Sequence, residues 1–242
     1  PYDFGYLQAL DALRALHYVF QSLDDAKKPF SRGRIYATGG SGGGNVALMA
    51  NKLAPRTFAC IVDISGMAKL TDDIAFGLPG GSDLNAGYSQ DKGSKTYLTR
   101  DAQELRFIGN AEHLATMRSL VNAAKVLVIH GVNDPTCPAD DALRMVLEFK
   151  RERLHAVAHM ISKADVDGDA LTGATHSLGD RTKILFKFGD PFLLPRSRAM
   201  RMRVGKNDFE LRDEEVRYAT QNGKYIISYA EGPPVGRFVP SR

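Results

Sequence analysis

Five consecutive residues, Gly39-Gly40-Ser41-Gly42-Gly43, constrain this chain more than any other segment. Ile35-Tyr36-Ala37-Thr38 before them reads as a short β-strand, and Asn45-Val46-Ala47-Leu48-Met49-Ala50 behind them as a helix. The backbone must therefore turn sharply at a single serine, the form of a nucleophile elbow, G-x-S-x-G. Glycine suits the flanking positions because a side chain there would collide with the neighbouring strand or helix. The helix starting after Ser41 also aims N–H groups and a partial positive charge at the place where an oxyanion would form. Two other glycine loops fail on spacing. A phosphate-binding loop needs Lys and Ser/Thr where Asn45 and Val46 stand, and no three glycines here have the G-x-G-x-x-G spacing. A plain glycine-rich turn with Ser41 as filler is the remaining alternative for this segment alone.

Two further segments join the elbow. Lys125-Val126-Leu127-Val128-Ile129 is an apolar, β-branched run typical of a buried parallel strand. It leads into His130-Gly131-Val132-Asn133-Asp134-Pro135-Thr136-Cys137-Pro138, which makes Asp134 a candidate triad acid. A helix from about Ala139 to Arg153 and a strand from Ala156 to Ile161 follow. A polar loop then carries His176 in Gly173-Ala174-Thr175-His176-Ser177-Leu178-Gly179. Ser, then Asp, then His is one of the chain orders in which a triad occurs. Each of the three residues lies beyond the C-terminal end of a predicted strand, where open α/β sheets place their sites.

From about Asp3 to Phe186, the GGSGG elbow, the HGVNDPTCP acid loop and the THSLGDR histidine loop together resemble the α/β-hydrolases. The likeness is nearest to poorly characterised bacterial members and more distant to the catalytic domains of prolyl-oligopeptidase-type enzymes. It implies that Ser41 attacks an acyl carbon, His176 carries the proton and Asp134 fixes and stabilises the imidazole. The Gly42 N–H would be one oxyanion donor. The fold implied is a mostly parallel α/β sheet flanked by helices. The resemblance also implies three or four strands ahead of the elbow and a loop giving a second oxyanion donor. Here one helix precedes the elbow, with Tyr6, Leu10, Leu13 and Phe20 on its buried face, and the sequence begins at Pro1 with no HGG-type segment. Either an N-terminal part is absent, or the sheet is completed from elsewhere in the chain.

At 242 residues and 43% hydrophobic, the chain can bury a sizeable core. It shows no run of ~18–20 apolar residues and no signal-peptide pattern. The expectation is a soluble protein, cytoplasmic or exported with a processed N-terminus. A net charge of +4 gives no pointer to nucleic acid, and the aromatic residues form no stacking pattern. Cys60 and Cys137 are expected as free thiols, and neither a metal site nor a cofactor is expected. Asp165, Asp167 and Asp169 miss the calcium-loop spacing, since Gly168 stands fourth and His176 twelfth, and read as an acidic turn. Asp63, near the end of the strand Phe58 to Ile64, is a fallback triad acid. His130 is expected to pack or hydrogen-bond beneath the acid loop, and His17, His113, His155 and His159 carry no motif.

The organisation expected is a core over residues 1–194 with a lid insertion at about 68–124, then a β-rich appendage over 195–242. The insertion opens with the loop Pro79-Gly80-Gly81-Ser82-Asp83 and ends helical, around Ala102 to Leu120. Phe76, Leu78, Tyr88, Tyr97, Leu98 and Phe107 are candidates to line a substrate pocket, or else the insertion is a surface excursion with a small core of its own. Arg181 to Leu194 reads as the last helix. Met200 to Val204, Phe209 to Leu211, Glu215 to Thr220 and Lys224 to Tyr229 read as strands, with a hairpin turn at Gln221-Asn222-Gly223. This tail is placed against the open sheet edge, and Arg196, Arg198, Arg201 and Arg203 on a solvated strand face, with a patch that reads anions as the alternative. The function read from the sequence is a serine hydrolase cleaving carboxylic esters. Two alternatives stay open: an oligopeptidase-like peptidase acting on short peptides, or a catalytically impaired binding module of the same fold.

Overall fold

The computed structural model describes residues 3–79 and 82–241, so Gly80 and Gly81 of the expected insertion loop lie outside the described residues. Four strands form a parallel sheet in the order β1-β2-β3-β4: β1 (Tyr36–Gly40), β2 (Cys60–Ile64), β3 (Lys125–Gly131) and β4 (Ala156–Ile161). All four run the same way, so the residues after Gly40, Ile64, Gly131 and Ile161 gather at one edge of the sheet. Alternation along β2 and β3 sends Ile61, Val126 and Val128 to one face and Cys60, Val62, Ile64, Leu127 and Ile129 to the other. Both faces are covered, which is why these strands are almost wholly apolar.

The first face is covered by α1 (Tyr6–Asp25), α2 (Gly42–Leu53) and α6 (Ala139–Arg151). Helix α1 buries Tyr6, Leu10, Leu13 and Phe20 at helical spacing, as the sequence pattern predicts. The second face is closed by the expected helix, continuous over residues 181–193 as α7 (Arg181–Ile184), a π turn over Leu185–Gly189 and α8 (Asp190–Leu193). Ile184, Leu185, Phe188, Phe192 and Leu193 give this segment its apolar side.

The insertion folds into three short helices, α3 (Asp72–Phe76), α4 (Arg100–Leu105) and α5 (Ala111–Ser119). The single helical stretch expected over Ala102 to Leu120 is thus broken. Thr99 caps α4 and Asn110 caps α5 through side-chain oxygens that accept from Ala102 and His113 N–H groups. Leu70, Ile74, Ala75, Ala86 and Leu98 join Phe4, Met67 and Cys137 in a small cluster of their own.

The tail forms an antiparallel sheet of β5 (Glu215–Thr220), β6 (Gly223–Ser228) and β7 (Val235–Pro240). Its first turn is pinned where Asn222 donates its N–H and its amide to Asp101. Strand β7, bounded by prolines and carrying Gly236, escaped the sequence reading. The other two expected strands do not form. Residues 200–204 are extended but make only isolated bonds, such as Arg203 N–H to the Gly33 carbonyl, and the Asn207 side chain folds Phe209 and Glu210 into a turn. Arg203 is buried with its guanidinium on the Val204 and Gly205 carbonyls, so the arginine cluster is not one solvated strand face. Nor does the tail sheet pair with β1. It packs on the helices instead, adding Val216, Tyr218, Tyr225, Ile227 and Tyr229 to the core of α1 and α2. Among the described residues β1 pairs only with β2.

Candidate active site

Ser41 sits between β1 and α2 with φ 56° and ψ −123°, a conformation that costs a non-glycine residue roughly 1–3 kcal/mol. Its N–H still bonds the Ile64 carbonyl at 2.9 Å, so the ladder of the sheet holds the strained residue in place. The glycines divide by role. A methyl group at Gly39 would lie 2.2 Å from the Gly43 backbone, and one at Gly44 would lie 2.1 Å from an Asp63 oxygen. Gly43 itself faces open space. Strand and helix therefore need Gly39 and Gly44 to cross this closely, while Gly43 is not required on steric grounds. The first intrahelical bond of α2 runs from the Asn45 N–H to the Ser41 carbonyl. The preceding N–H groups, Gly42 among them, have no acceptor within the helix.

The three widely separated sequence segments meet here. His176 Nε2 lies 2.8 Å from Ser41 Oγ, and its Nδ1 lies 2.9 and 3.1 Å from the two Asp134 oxygens. With Nδ1–H donating to the carboxylate, Nε2 is left as an acceptor for the serine proton. Asp134 is fixed by the acid loop itself, where the Thr136 and Cys137 N–H groups each donate to Oδ1 at 2.9 Å. Burial alone would raise this carboxyl, but hydrogen bonds from His130, Cys137 and His176 outweigh it and hold the group below the usual carboxylate range. The histidine loop is drawn in by an Asn133 N–H to Ala174 carbonyl bond and by the absence of a side chain at Gly131. A methyl group there would strike the Thr175 carbonyl at 2.4 Å.

Asp63, the fallback acid, does not reach His176. It is fully buried beneath α2 between Gly44 and Gly66, and burial pushes its carboxyl up to about 7 against the pull of His130 and the Gly66 N–H. His130 lies beneath the acid loop, its Nε2 2.8 Å from the Cys137 carbonyl and 3.2 Å from Asp134 Oδ2. The acidic turn is used structurally. Asp165 caps a turn through Ser162, Asp167 accepts from the Asp169 and Leu171 N–H groups and pairs with Lys187, and Asp169 pairs with Lys183. Both cysteines are free and buried.

A cavity of about 350 Å³ opens beside the serine, lined by Phe4, Ser41, Gly42, Met67, Leu84, Asn85 and Cys137. The insertion contributes Leu84 and Asn85 rather than the six side chains expected from the sequence. Of those six, Leu98 is buried in the small cluster of the insertion, with Phe76 and Tyr88 packed against it. No hydrophobic periodicity singles out Leu84 or Asn85, and their position was not readable before the loop was folded.

The sequence matches, over residues 2–232, the family described as "Protein of unknown function (DUF2920)", and the chain belongs to it. No curated protein matches the sequence. Among solved structures the fold is similar to an uncomplexed acylaminoacyl peptidase from Pyrococcus horikoshii, at 20% identity and a TM-score of 0.50 over 74% of this chain and 27% of that one. It is equally similar to dipeptidyl peptidase 4 from Porphyromonas gingivalis, at 14% identity and a TM-score of 0.50 over 76% and 22% of the two chains. A lipase/esterase from Lactobacillus plantarum aligns at 18% identity and a TM-score of 0.45 over 64% and 57%. The chain thus spans about a quarter of the length of the two peptidases. The architecture is that of the α/β-hydrolase fold, with a four-stranded parallel sheet flanked by helices. Among the described residues no helix is long and apolar enough to cross a membrane.

Proposed function

We propose that this member of the DUF2920 family is a serine hydrolase that cleaves carboxylic esters through an acyl-enzyme. The observation that carries the reading is the unbroken line from Ser41 Oγ through His176 to the buried Asp134 carboxylate, with the serine on a strained elbow. Ser41 attacks the acyl carbon while His176 Nε2 takes its proton. Asp134 stabilises the imidazolium that results, and the same proton then goes to the departing alkoxide. Water, deprotonated by His176, releases the acid and restores Ser41. The Gly42 N–H at the start of α2 stands where it can donate to the oxyanion. Among the described residues no charged side chain lines the cavity beside Ser41, which suits an uncharged, apolar acyl group.

The test is labelling with a fluorophosphonate, alongside Ser41→Ala and His176→Ala, and location of the label by mass spectrometry. Labelling at Ser41 that disappears in both variants is the expected result. A panel of p-nitrophenyl esters and short peptide anilides then separates ester from peptide cleavage, with turnover expected on the esters. Faster turnover of the anilides would favour the peptidase reading, towards which the names of the two peptidase neighbours point. A folded chain whose Ser41 takes no label would leave the binding-module reading in its place.

A further inference from the structure

Two fully buried titratable side chains, His130 and Asp63, lie behind the triad and take no part in the chemistry proposed above. Both stand on the sheet face covered by α2, on adjacent parallel strands, within two register positions of each other. His130 Nε2 faces two acceptors, the Cys137 carbonyl at 2.8 Å and Asp134 Oδ2 at 3.2 Å. A ring nitrogen between two acceptors must carry the proton, so the tautomer is set as Nε2–H. Asp134 Oδ2 is also the oxygen 2.9 Å from His176 Nδ1. One carboxylate oxygen thus accepts a hydrogen bond from each of two imidazoles, one reaching Ser41 and the other wholly enclosed.

We infer that His130 is a positioning residue, which braces Asp134 through Nε2–H and tempers the negative charge that Asp134 presents to His176. The inference rests on the triad reading for its link to turnover, but not for the contact itself. The charged and titratable groups around His130 are Asp63 from β2, Asp134 and Cys137 from the acid loop, and His176 across Asp134. Burial pulls the His130 imidazole down, yet the hydrogen bonds to Asp134 and Cys137 and the charge of Asp63 overcome it, and the net shift is upward. A donor that stabilises the Asp134 anion makes it a weaker partner for the His176 cation. Removing His130 should therefore make His176 hold its proton to higher pH.

Histidine side-chain NMR on ¹⁵N-labelled protein tests this without relying on turnover. In His130→Leu the His176 midpoint is expected to rise by about half a pH unit. Ester kcat should fall roughly tenfold, the scale of one hydrogen bond to a charged group, with KM within about twofold. His130→Gln, which keeps an N–H donor near the Nε2 position, should restore kcat to within about threefold of the wild type. An unmoved midpoint in a folded His130→Leu, or His130→Gln as impaired as His130→Leu, would overturn the assignment. If His130→Leu does not fold, the wild type decides. The His130 Nε2 proton should be observable, and its resonance should move with the His176 titration as Asp134 loses its partner's charge. A His130 resonance indifferent to that titration would end the proposal. A wild-type chain that shows this coupling but turns over neither ester nor anilide would sink the hydrolase reading and leave the brace standing.

Discussion

At its N-terminal end, helix α2 begins on a strained serine and leaves N–H groups, Gly42's among them, without helical acceptors beside a cavity. At its C-terminal end the same helix is closed off. The Lys52 carbonyl accepts from the Tyr218 hydroxyl and the Leu53 carbonyl from the Tyr229 hydroxyl, both buried and both delivered by the tail. The Lys52 ammonium, also buried, donates to the Leu105 and Phe107 carbonyls of the insertion. One end of a twelve-residue helix leaves N–H groups without helical acceptors, while at the other the tail supplies two hydroxyls to the last carbonyls and the insertion holds the Lys52 side chain. The anchored end lies away from the proposed nucleophile, and the N-terminal end can hold its strain because the rest of the helix is fixed.

The largest expected effect belongs to the reactive end. Ser41→Ala should lower ester turnover by roughly 10⁴- to 10⁶-fold while leaving the melting temperature nearly unchanged, since alanine keeps the side-chain carbon and with it the same backbone strain. Next, Gly39→Ala should cost up to about 3 kcal/mol by urea denaturation, because the added methyl meets the Gly43 backbone. Equal tolerance of Gly39→Ala and Gly43→Ala would break the distinction between the two glycines.

Asp63, wedged under this end between Gly44 and Gly66, gives a pH-dependent effect. Its folded carboxyl at about 7 lies above the ordinary carboxylate value, so the folded chain holds that proton more tightly than the unfolded chain does. Stability from this group is full below about pH 4 and is lost as pH rises towards 7. Between pH 5 and pH 8 the wild type should lose about 2 kcal/mol relative to Asp63→Asn, measured by urea denaturation. Parallel pH profiles in the two proteins would show that Asp63 titrates normally.

At the closed end, Tyr229→Phe removes one buried hydrogen bond and should cost about 1 kcal/mol with ester kcat unchanged. A comparable loss of kcat would mean that the two ends are coupled. Smallest of all, Gly43→Ala should stabilise α2 by under about 1 kcal/mol, because alanine suits a helix better than glycine and the space is open. Its kcat should stay within about twofold of the wild type, since Gly42 and not Gly43 lines the cavity beside Ser41.

The parallel strands and the amphipathic face of α1 were legible because periodicity of apolar residues is a local property. So were the elbow, the acid loop and the histidine loop, whose turn chemistry lies within a few residues of each candidate side chain. Residues 200–204 and 209–211 carry strand-like composition but find no partner strand, and strand propensity without a partner does not make a sheet. The pocket wall was illegible for a related reason. Leu84 and Asn85 belong to a loop without period, and six other apolar and aromatic neighbours looked more suited to the role.

The sequence by itself determined that a serine sits on a tight strand–helix turn, and that Asp134 and His176 follow it in an order and context compatible with a triad. Only the tertiary structure decided that these three lie within hydrogen-bonding distance, that Asp63 is buried under the helix rather than beside His176, and that the tail sheet packs on α1 and α2 while Arg201 and Arg203 reach the start of β1. The physical reason is range. Backbone conformation and apolar period are fixed over a few residues, whereas the Ser41–His176 contact, the Tyr218 and Tyr229 anchors and the Asp134–His130 brace each depend on which side chains the fold brings to one place.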